Sequence, residues 1–314
     1  MAGKRKIDVS VLIATRNRAK SLQRTLDHLK NQKLQGFGWE VIVVDNGSID
    51  NTSSVLNRTI GQLPLVHIYE PILGKNRALN KGLDVARGGL IVLTDDDVIP
   101  QSTWIAALDS AAHRWPTYSI FGGQIVPQFP AKTPQWLKEK DFAWSKNLFS
   151  TYVPSDKEGP VEILPVGPNL AIRAQIFLEE RFREDVGPKG KSYPVGGETE
   201  LLERLSARGE RFIYVPSASV GHVIREEQIS LRWLLRRVFL CGRGGARRHP
   251  DRTSRQLFGV PRYLWRRLLT ELVRYATTVY RNDQVRFEKG KLMYITLGQI
   301  YEYRKIAKQT SSIR

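Results

Sequence analysis

The sequence is poor in cysteine and has no long hydrophobic run. Cys241 is the only cysteine in 314 residues, which excludes an internal disulfide and a multi-cysteine metal site and suits a reducing cytosol. No apolar stretch approaches the ~18 residues that a membrane-spanning helix requires. The basic start leads directly into a strand-like pattern without a small-residue cleavage site, so no secretion signal is expected. With 41% hydrophobic and 25% charged residues, the chain is predicted to be a soluble globular protein.

Acidic residues are scarce relative to basic ones, and the imbalance is local. The chain has 49 Lys and Arg against 31 Asp and Glu, a formal net charge of +18. Residues 1–221 hold 28 basic and 24 acidic residues, and residues 222–314 hold 21 and 7, so +14 of the +18 lies in the last 93 residues. Such a region suggests a polyanionic partner. We find no nucleic-acid-binding motif, so nucleic acid is not expected to be that partner.

Short apolar strands alternate with helical patterns in the first hundred residues. Strand-like runs are VSVLIAT (9–15), WEVIVVD (39–45), LVHIYEP (65–71) and LIVLTDD (90–96). Between them, helical spacing occurs in SLQRTLDHLKNQ (21–32), with Ser21 as the possible cap, and in GKNRALNKGLDVARG (74–88). Near-continuous apolar strands are typical of a parallel sheet covered on both faces. The pattern therefore predicts an α/β fold with a doubly wound sheet.

The regular alternation stops at about residue 127. Residues 127–168 are rich in proline, aromatic and charged residues, and long irregular insertions of this kind are usually functional or mobile. A helix (ETELLERLSARG) and a strand (RFIYVPSASVGHV) follow, and then a basic region with helical stretches at about 229–243, 261–281 and 291–308.

Carboxylates follow two of the predicted strands. Asp45 closes WEVIVVD, Asp50 lies in the next loop, and the triplet Asp95, Asp96 and Asp97 closes LIVLT. In parallel α/β sheets ligands bind at the carboxyl ends of strands, and aspartate oxygens suit Mg²⁺ or Mn²⁺. The alternative is that Asp45 and Asp50 are turn residues, because DNGSID is rich in turn formers. Three adjacent carboxylates need either water or a compensating cation.

Four segments in this order, VSVLIATRNR, VIVVDNGSIDNT, GKNRALNKGL and LIVLTDDDVIP, resemble the family 2 glycosyltransferases over about residues 7–225. The resemblance implies the glycosyltransferase A fold, a Rossmann-like, mixed but mainly parallel sheet flanked by helices. It also implies a catalytic domain at 1–225, with a nucleotide-sugar half at 1–100 and an acceptor half at 101–225. A basic, helical C-terminal region would then occupy 226–314.

The resemblance also assigns roles on the donor side. Asp45 would contact the nucleobase, Thr15 and Arg16 would line the nucleotide pocket, and Arg77 would lie beside the base or diphosphate. Asp95 would face the ribose and sugar, and Asp96 would belong to the donor side and tolerate change best. Asp97 and His222 would bind a divalent cation, Mn²⁺ or Mg²⁺. For His222, a structural or surface role is the alternative.

Glycosyl transfer to a hydroxyl also needs a base that takes the acceptor proton. In the segment GGETEL, Glu198 matches the place of the family's usual base, although Glu replaces Asp and Gly197 replaces the preceding acid. Glu200 is the rival on the acceptor side. Both glutamates could instead serve the positive end of the helix dipole in its first turn.

Further residues are expected near the acceptor. Asn169, in PVGPNLAIR, matches the family's acceptor-side loop, and Arg232 and Trp233 are expected to cover the acceptor. Trp136 and Trp144 either stack on sugar rings or fix the insertion to the body. EQISLRW departs by one residue from the Gln-x-x-Arg-Trp signature of processive synthases, which favours transfer of a single sugar to a glycan or lipid-linked acceptor.

The C-terminal region has one pronounced amphipathic segment. Its apolar face is predicted to contain Trp265, Leu268, Leu269, Leu272, Ala276 and Val279, with Arg262, Arg266 and Arg274 elsewhere. Such a helix can lie on an anionic membrane, can pack on the catalytic domain, or can form a homodimer. We expect a cytoplasmic protein, peripheral on the inner face of the membrane.

These expectations combine into an inverting, metal-dependent transfer from a nucleotide-diphosphate sugar, with a UDP-sugar favoured. Inversion follows from the resemblance alone. A catalytically silent nucleotide-binding scaffold of the same fold is one alternative. A nucleotidyltransferase is the other, although ATRNRAKS lacks the glycines of the usual phosphate loop.

Overall fold

The computed structural model describes residues 6–34, 36–140, 142–189, 193–278 and 280–311. The strands are β1 (Val9–Thr15), β2 (Trp39–Asp45), β3 (Leu65–Tyr69), β4 (Leu90–Thr94), β5 (Val98–Pro100), β6 (Ile120–Gln128), β7 (Gly159–Val161), β8 (Leu170–Arg173), β9 (Phe212–Val223), β10 (Gln256–Leu257) and β11 (Val260–Pro261). The helices are α1 (Ala19–Lys30), α2 (Thr52–Thr59), α3 (Lys75–Leu83), α4 (Trp104–Arg114), α5 (Gln135–Lys138), α6 (Ser145–Phe149), α7 (Gly197–Ala207), α8 (Leu231–Arg248), α9 (Arg262–Ala276) and α10 (Asp283–Ser311).

The chain forms two units. The first contains the described residues of Met1–Gln128, Phe149–Glu184 and Gly197–Val223, and the second those of Phe129–Leu148, Asp185–Gly196 and Ile224–Arg314. Segments of the two units therefore alternate along the chain. The sequence instead predicts two consecutive domains, 1–225 and 226–314.

The first unit is built on a mixed sheet. Its strand order is β3-β2-β1-β4-β8-β6-β9-β5, and β7 pairs with β9. Strands β3, β2, β1 and β4 are mutually parallel, and β8 joins them in antiparallel orientation. The parallel half places the carboxyl ends of β1, β2 and β4 at one edge, with Thr15 directly opposite Asp45.

Helices cover both faces of this sheet, as the apolar strands predict. Alternate residues of β1 point to opposite sides, so Val11 packs with Leu26 of α1, whereas Leu12 packs with Leu79 of α3 and Leu201 of α7. Burying each such side chain stabilises the fold by about 1.5–3 kcal/mol. Double-sided burial explains why the strands read as continuous apolar runs rather than alternating ones.

Two local expectations need correction. Helix α1 begins at Ala19, with Arg18 at the cap position, so Ser21 lies inside the first turn and does not cap it. Helix α3 ends at Leu83 instead of continuing to residue 88. Gly88 lies beyond the helix and packs against the backbone of β1, where a Cβ would lie 2.4 Å from the Ser10 nitrogen.

The second unit is mainly helical. Helices α8 and α10 approach closely at two glycines, since a Cβ on Gly242 would lie 2.1 Å from the Ile295 oxygen and one on Gly298 would lie 2.0 Å from the Phe239 oxygen. Among the described residues, no helix combines the length and the apolar character needed to cross a membrane.

Helix α9 buries a narrower face than the sequence predicts. Leu264 is buried, and Trp265 and Leu268 pack around it on a cluster that includes Ile300 of α10. Other residues of the predicted apolar face are exposed, namely Leu269, Leu272 and Ala276, as is Val273. Val279 lies outside the described residues.

Candidate active site

The aspartate triplet occupies the loop between β4 and β5, at the carboxyl edge of the parallel strands. Asp96 and Asp97 are buried, and Asp95 is partly exposed. The hydroxyl of Thr15, at the end of β1, donates to Asp96 Oδ2 at 2.6 Å. Asp96 is thus enclosed and hydrogen-bonded, which argues against the tolerance to substitution that the sequence leads us to expect. Burial raises the pKa of Asp96, and the attraction to Arg18 only partly opposes that effect.

Two side-chain cations of the protein itself compensate the triplet. Arg18 donates from one guanidinium nitrogen to Asp96 Oδ1 at 2.6 Å and to Asp97 Oδ2 at 2.9 Å. Lys75, the first residue of α3, donates from Nζ to Asp95 Oδ1 at 2.7 Å. The sequence reasoning missed both residues. The signal was present, because three adjacent carboxylates require positive charge and both residues lie in basic segments, TRNR at the end of β1 and GKNR at the start of α3.

His222 reaches the triplet because β9 pairs with β5. Val98 lies opposite His222, and the Val223 amide donates to the Asp97 carbonyl at 3.0 Å. The imidazole Nε2 is 3.5 Å from Asp97 Oδ1, and Nδ1 is 2.7 Å from the Phe149 carbonyl oxygen. Burial lowers the pKa of His222, but the hydrogen bond and charge of Asp97 outweigh it and raise the pKa overall. Despite burial, His222 and Arg18 hold the pKa of Asp97 well below its usual range.

The donor set at this point fits part of a divalent cation site. The Phe149 carbonyl accepts a hydrogen bond from Nδ1, so Nε2 is the ring nitrogen that faces Asp97. Without a metal ion, Nε2 can donate a proton to Asp97, and after loss of that proton its lone pair could bind a cation, with the Nδ1 hydrogen bond orienting the ring. Mg²⁺ and Mn²⁺ sites commonly use one or two carboxylates and complete the shell with water and substrate phosphates. The described part of the chain holds no group of three or more His, Cys, Asp or Glu suited to a metal ion, so Asp97 and His222 would supply only part of the shell.

Glu198 lies in the first turn of α7, and its carboxylate meets the triplet through Lys75. Lys75 Nζ is 2.6 Å from Glu198 Oε1 and contacts Asp95 through the same nitrogen. Two glycines make room at this place, since a Cβ on Gly167 would lie 2.8 Å from the Glu198 carboxylate and one on Gly197 would lie 2.4 Å from the amide oxygen of Asn76. The structure therefore brings the candidate base and the triplet together.

Glu200, the rival base, has different surroundings. It is buried, and Arg204 donates from Nε to Glu200 Oε1 at 2.9 Å, one turn further along α7. Arg183 lies 3.6 Å away on the same oxygen. Arg204 also pairs with Glu180. This network holds α7 to the preceding segment, which favours a structural role for Glu200 over an acceptor-side one.

The predicted donor-side residues lie around the same edge of the sheet. Asp45 is buried at the end of β2 and accepts a hydrogen bond from the Ser48 amide at 2.9 Å. Arg16 is exposed in the loop after β1. Arg77 is partly exposed and pairs with Glu70 and Glu184, at 3.3 and 3.2 Å. Pairing with Glu70, above all, raises the pKa of Arg77.

Asp50 stabilises the turn between β2 and α2, which agrees with the alternative that it is a turn residue. Its Oδ2 accepts from the Ala19 amide at 3.0 Å, and its Oδ1 accepts from the Thr52 amide and hydroxyl at 3.0 and 2.5 Å. One carboxylate thus satisfies the first amides of both α1 and α2. Although burial opposes the effect, these hydrogen bonds lower the pKa of Asp50.

Asn169 does not fit its predicted acceptor-side role. Its side chain is fully buried, accepts from the Trp104 indole nitrogen at 2.8 Å, and donates to the Gln124 and Ala218 carbonyls at 2.9 and 2.7 Å. The amide therefore ties β6, β9 and α4 together. A buried side chain with three intramolecular hydrogen bonds has a structural role.

The remaining predicted residues belong to the second unit. Arg232 is exposed and Trp233 half-buried, both at the start of α8. Trp136 packs on Phe142 and Phe287, with ring centroids 5.5 and 5.7 Å away. The Lys291 ammonium lies 5.8 Å from the ring centroid of Trp144. These contacts favour the interpretation in which the two tryptophans of the insertion fix it to its own unit.

The fold and sequence resemble those of known glycosyltransferases. A mannosyltransferase from Pyrobaculum calidifontis, solved with GDP-Man and Mn²⁺, superimposes with a TM-score of 0.62 at 18% identity, covering 96% of this chain and 88% of that one. Residues 1–349 of S. aureus TarS, solved with UDP, give 0.54 at 14% identity, covering 98% and 92%. These likenesses confirm the predicted glycosyltransferase A fold.

Sequence comparison identifies the family. A glucosyl-dolichyl phosphate glucuronosyltransferase of Haloferax volcanii is 25% identical over 246 residues, which are 76% of this chain and 75% of the relative. A pre-mycofactocin glycosyltransferase of Mycobacterium tuberculosis is 29% identical over 255 residues, which are 79% of this chain but 49% of the relative, so the chain spans about half of that protein. The model of the family described as Glycosyl transferase family 2 matches residues 10–179, more than half of the chain. The chain therefore belongs to glycosyl transferase family 2, as its motifs predict, and is an enzyme of the glycosyltransferase class.

Proposed function

We propose that the protein transfers a single sugar, with inversion, from a nucleotide-diphosphate sugar to an acceptor hydroxyl, and that Glu198 is the general base. The observation that carries this proposal is the Lys75 ammonium, which lies within 2.7 Å of carboxylate oxygens of both Asp95 and Glu198. It places a carboxylate from α7 beside the strand-end triplet. A base at that place can take the acceptor proton while the sugar leaves the diphosphate.

The donor is proposed to lie along the carboxyl ends of β1, β2 and β4. Thr15 and Asp45 end adjacent strands there, and Arg16 is exposed beside them. Ligands of open α/β sheets bind in this crevice. The similar structures were solved with GDP-Man and with UDP, which supports a nucleotide-sugar donor, and we favour a UDP-sugar.

A divalent cation, Mn²⁺ or Mg²⁺, is proposed as cofactor, with Asp97 and His222 as its protein ligands. Their 3.5 Å separation and the hydrogen bond from His222 to the Phe149 carbonyl support that assignment, as does the Mn²⁺ in the mannosyltransferase. When bound, such a cation neutralises the charge that develops on the leaving diphosphate. Glu198 remains the group that holds the proton.

The acceptor is proposed to be a glycan or a lipid-linked glycan, reached at the inner, anionic face of a membrane. The name of the Haloferax relative supports a lipid-linked substrate. Helix α9 supports the proposed binding to a membrane surface, because it exposes Leu269, Leu272 and Val273 beside Arg266 and Arg274. Exposed apolar residues among arginines suit anionic head groups. The acceptor-side roles of Arg232 and Trp233 stay predictions, as does a homodimer through the C-terminal helices.

Release of nucleoside diphosphate from a panel of sugar nucleotides, with Mn²⁺ or with EDTA, tests the proposal. We expect one donor to release nucleoside diphosphate in the presence of Mn²⁺ and lipid-linked or free glycan acceptors, and EDTA to stop the reaction. Pyrophosphate release would instead indicate a nucleotidyltransferase. No turnover of any donor would indicate a silent scaffold.

A further inference from the structure

Arg18 occupies an unusual place for a guanidinium in a site expected to bind a metal cation. It stands at the cap position of α1, three residues after the end of β1. One of its nitrogens contacts a carboxylate oxygen of Asp96 at 2.6 Å and one of Asp97 at 2.9 Å. Both carboxylates are buried, whereas 32% of the Arg18 side chain is exposed. Arg18 is therefore a counter-ion whose side chain is only partly enclosed by the protein.

Asp97 is approached from two sides. Arg18 faces Oδ2 at 2.9 Å, and the His222 Nε2 faces Oδ1 at 3.5 Å. A divalent cation shared by Asp97 and His222 would therefore lie beside the guanidinium, on the other oxygen of the same carboxylate. Because the guanidinium stays protonated, it cannot relieve the repulsion by losing a proton. Like charges a few ångströms apart in a partly buried site repel strongly.

The formal charges show the consequence. Four carboxylates, those of Asp95, Asp96, Asp97 and Glu198, against Arg18 and Lys75 leave a formal charge of about −2. A divalent cation would neutralise that charge, but it would share the Asp97 carboxylate with the guanidinium. A nucleoside diphosphate brings negative charge and phosphate oxygens, which are good partners for a guanidinium. It would therefore offset the repulsion between the cation and the guanidinium and offer Arg18 a new contact.

We infer that Arg18 is a built-in counter-ion that competes with the divalent cation for Asp97, so that the cation binds well only together with a nucleoside diphosphate. This inference rests on the proposed function. Arg18 thereby couples the two ligands, and each ligand raises the affinity for the other by the same factor. Arg18 acts as a positioning residue through its charge, and Glu198 takes the proton of the acceptor hydroxyl.

Mn²⁺ binding, followed by the electron paramagnetic resonance of free Mn²⁺, tests the inference without requiring turnover. The full chain is titrated without nucleotide, with UDP and with GDP. We expect Arg18→Gln to bind Mn²⁺ more tightly than wild type without nucleotide, on the order of tenfold. The gain in Mn²⁺ affinity on adding nucleotide should shrink correspondingly.

Three further variants make the result specific. Arg18→Lys keeps the positive charge and should bind Mn²⁺ as weakly as wild type without nucleotide. Arg18→Met removes the charge and should bind Mn²⁺ as tightly as Arg18→Gln, which provides a second measurement if Arg18→Gln does not fold. Arg24→Gln removes one charge from the exposed side of the same helix. It should change the Mn²⁺ affinity neither with nor without nucleotide. Thermal unfolding verifies that each variant is folded.

The outcomes separate the inference from the proposed function. If wild type binds Mn²⁺ with nucleotide but Arg18→Gln matches wild type in both states, the counter-ion role is wrong and the metal site stands. Loss of Mn²⁺ binding in Arg18→Gln would make Arg18 a structural support of Asp97 and also overturn the inference. If wild type binds no Mn²⁺ in any state, the proposed cofactor is wrong and the inference fails with it.

Discussion

Lys75 and Glu198 form an ion pair, with 2.6 Å between Nζ and Oε1, although they are 123 positions apart in the chain. Both side chains are largely buried, at 20% and 18% exposure. Burial alone would lower the pKa of Lys75, but the charges of Asp95 and Glu198 outweigh it and hold the pKa well above its usual range. The ammonium therefore stays charged and fixes both carboxylates.

From this contact we expect Lys75→Gln to slow sugar transfer on the order of 10²-fold, because small displacements of a catalytic group are costly. The loss should fall on kcat more than on KM if Lys75 mainly orients Glu198. Lys81→Gln, on the exposed side of the same helix, is the matched control. Lys75→Arg should recover part of the rate. A Lys75→Gln enzyme with wild-type kcat would remove Lys75 from the mechanism.

The assignment of the base predicts different consequences for two neighbouring glutamates. Glu198→Gln should leave donor binding intact and reduce transfer on the order of 10²- to 10⁴-fold, the usual contribution of a general base. Glu200→Gln should mainly lower stability, because Arg204 and Arg183 lose a buried partner. Donor binding by calorimetry, transfer rate and urea unfolding distinguish them. The reverse pattern, with transfer lost only in Glu200→Gln, would exchange the two roles.

Removal of the metal ligand should affect an earlier step. We expect Asp97→Ala to abolish the Mn²⁺-dependent part of donor binding, so that its affinity equals that of wild type in EDTA. Asp27→Asn removes a carboxylate that is half exposed on α1 and should retain the Mn²⁺ effect. The measurement is calorimetric titration of UDP with and without Mn²⁺. Equal Mn²⁺ effects in Asp97→Ala and wild type would refute the assignment.

The strand-end pattern predicts that Asp45 and the aspartate triplet lie close together. The structure brings them to one edge of the sheet, because β2, β1 and β4 are adjacent parallel strands. His222 required the pairing of β9 with β5, which distant segments form and no local pattern reveals. The family resemblance supplied that position instead.

Residues whose role depends on side-chain contacts were the difficult ones. The motif around Asn169 predicts an acceptor-side residue, yet its side-chain amide makes three hydrogen bonds within the protein. Arg18 and Lys75 were missed because sequence shows that the carboxylates need compensation but not which cations are within reach. Helical periodicity predicts too wide an apolar face for α9, since it does not tell which residues the neighbouring helix covers.

The exposed residues of α9 predict binding to anionic vesicles. The protein should float with liposomes that contain phosphatidylglycerol at low salt and remain unbound with phosphatidylcholine alone. Replacing Leu269 and Val273 by Ser should weaken flotation, whereas Leu178→Ser, an exposed leucine of the first unit, should not. High salt should reduce binding, because it screens the arginines. Full-length protein that stays unbound at low salt would exclude the membrane surface, and a dimer in light scattering would then explain the exposed face.

The second unit depends on a buried ion pair between α8 and α10. Arg243 and Glu302 are both fully buried, with 2.7 Å between Nε and Oε2, and Arg247 donates from Nε to the other Glu302 oxygen at 2.9 Å. Removing one partner of such a group leaves an uncompensated charge in the interior, which costs about 3–5 kcal/mol. We expect that loss for Glu302→Gln in urea unfolding. Arg243→Met should lose less, because Glu302 keeps Arg247.

Glu288→Gln is the matched control for this prediction. Glu288 lies on the same helix and pairs with Lys291 at the surface, where an ion pair contributes about 0–1 kcal/mol. The free energy of unfolding of Glu288→Gln should therefore be close to that of wild type. If the free energy of unfolding of Glu302→Gln were also close to that of wild type, water or a shift of neighbouring side chains would have to compensate both arginines. The ion pair would then not hold α8 to α10. A buried carboxylate shared by two arginines predicts that Glu302→Gln is the least stable of the three variants, Arg243→Met is intermediate and Glu288→Gln is the most stable.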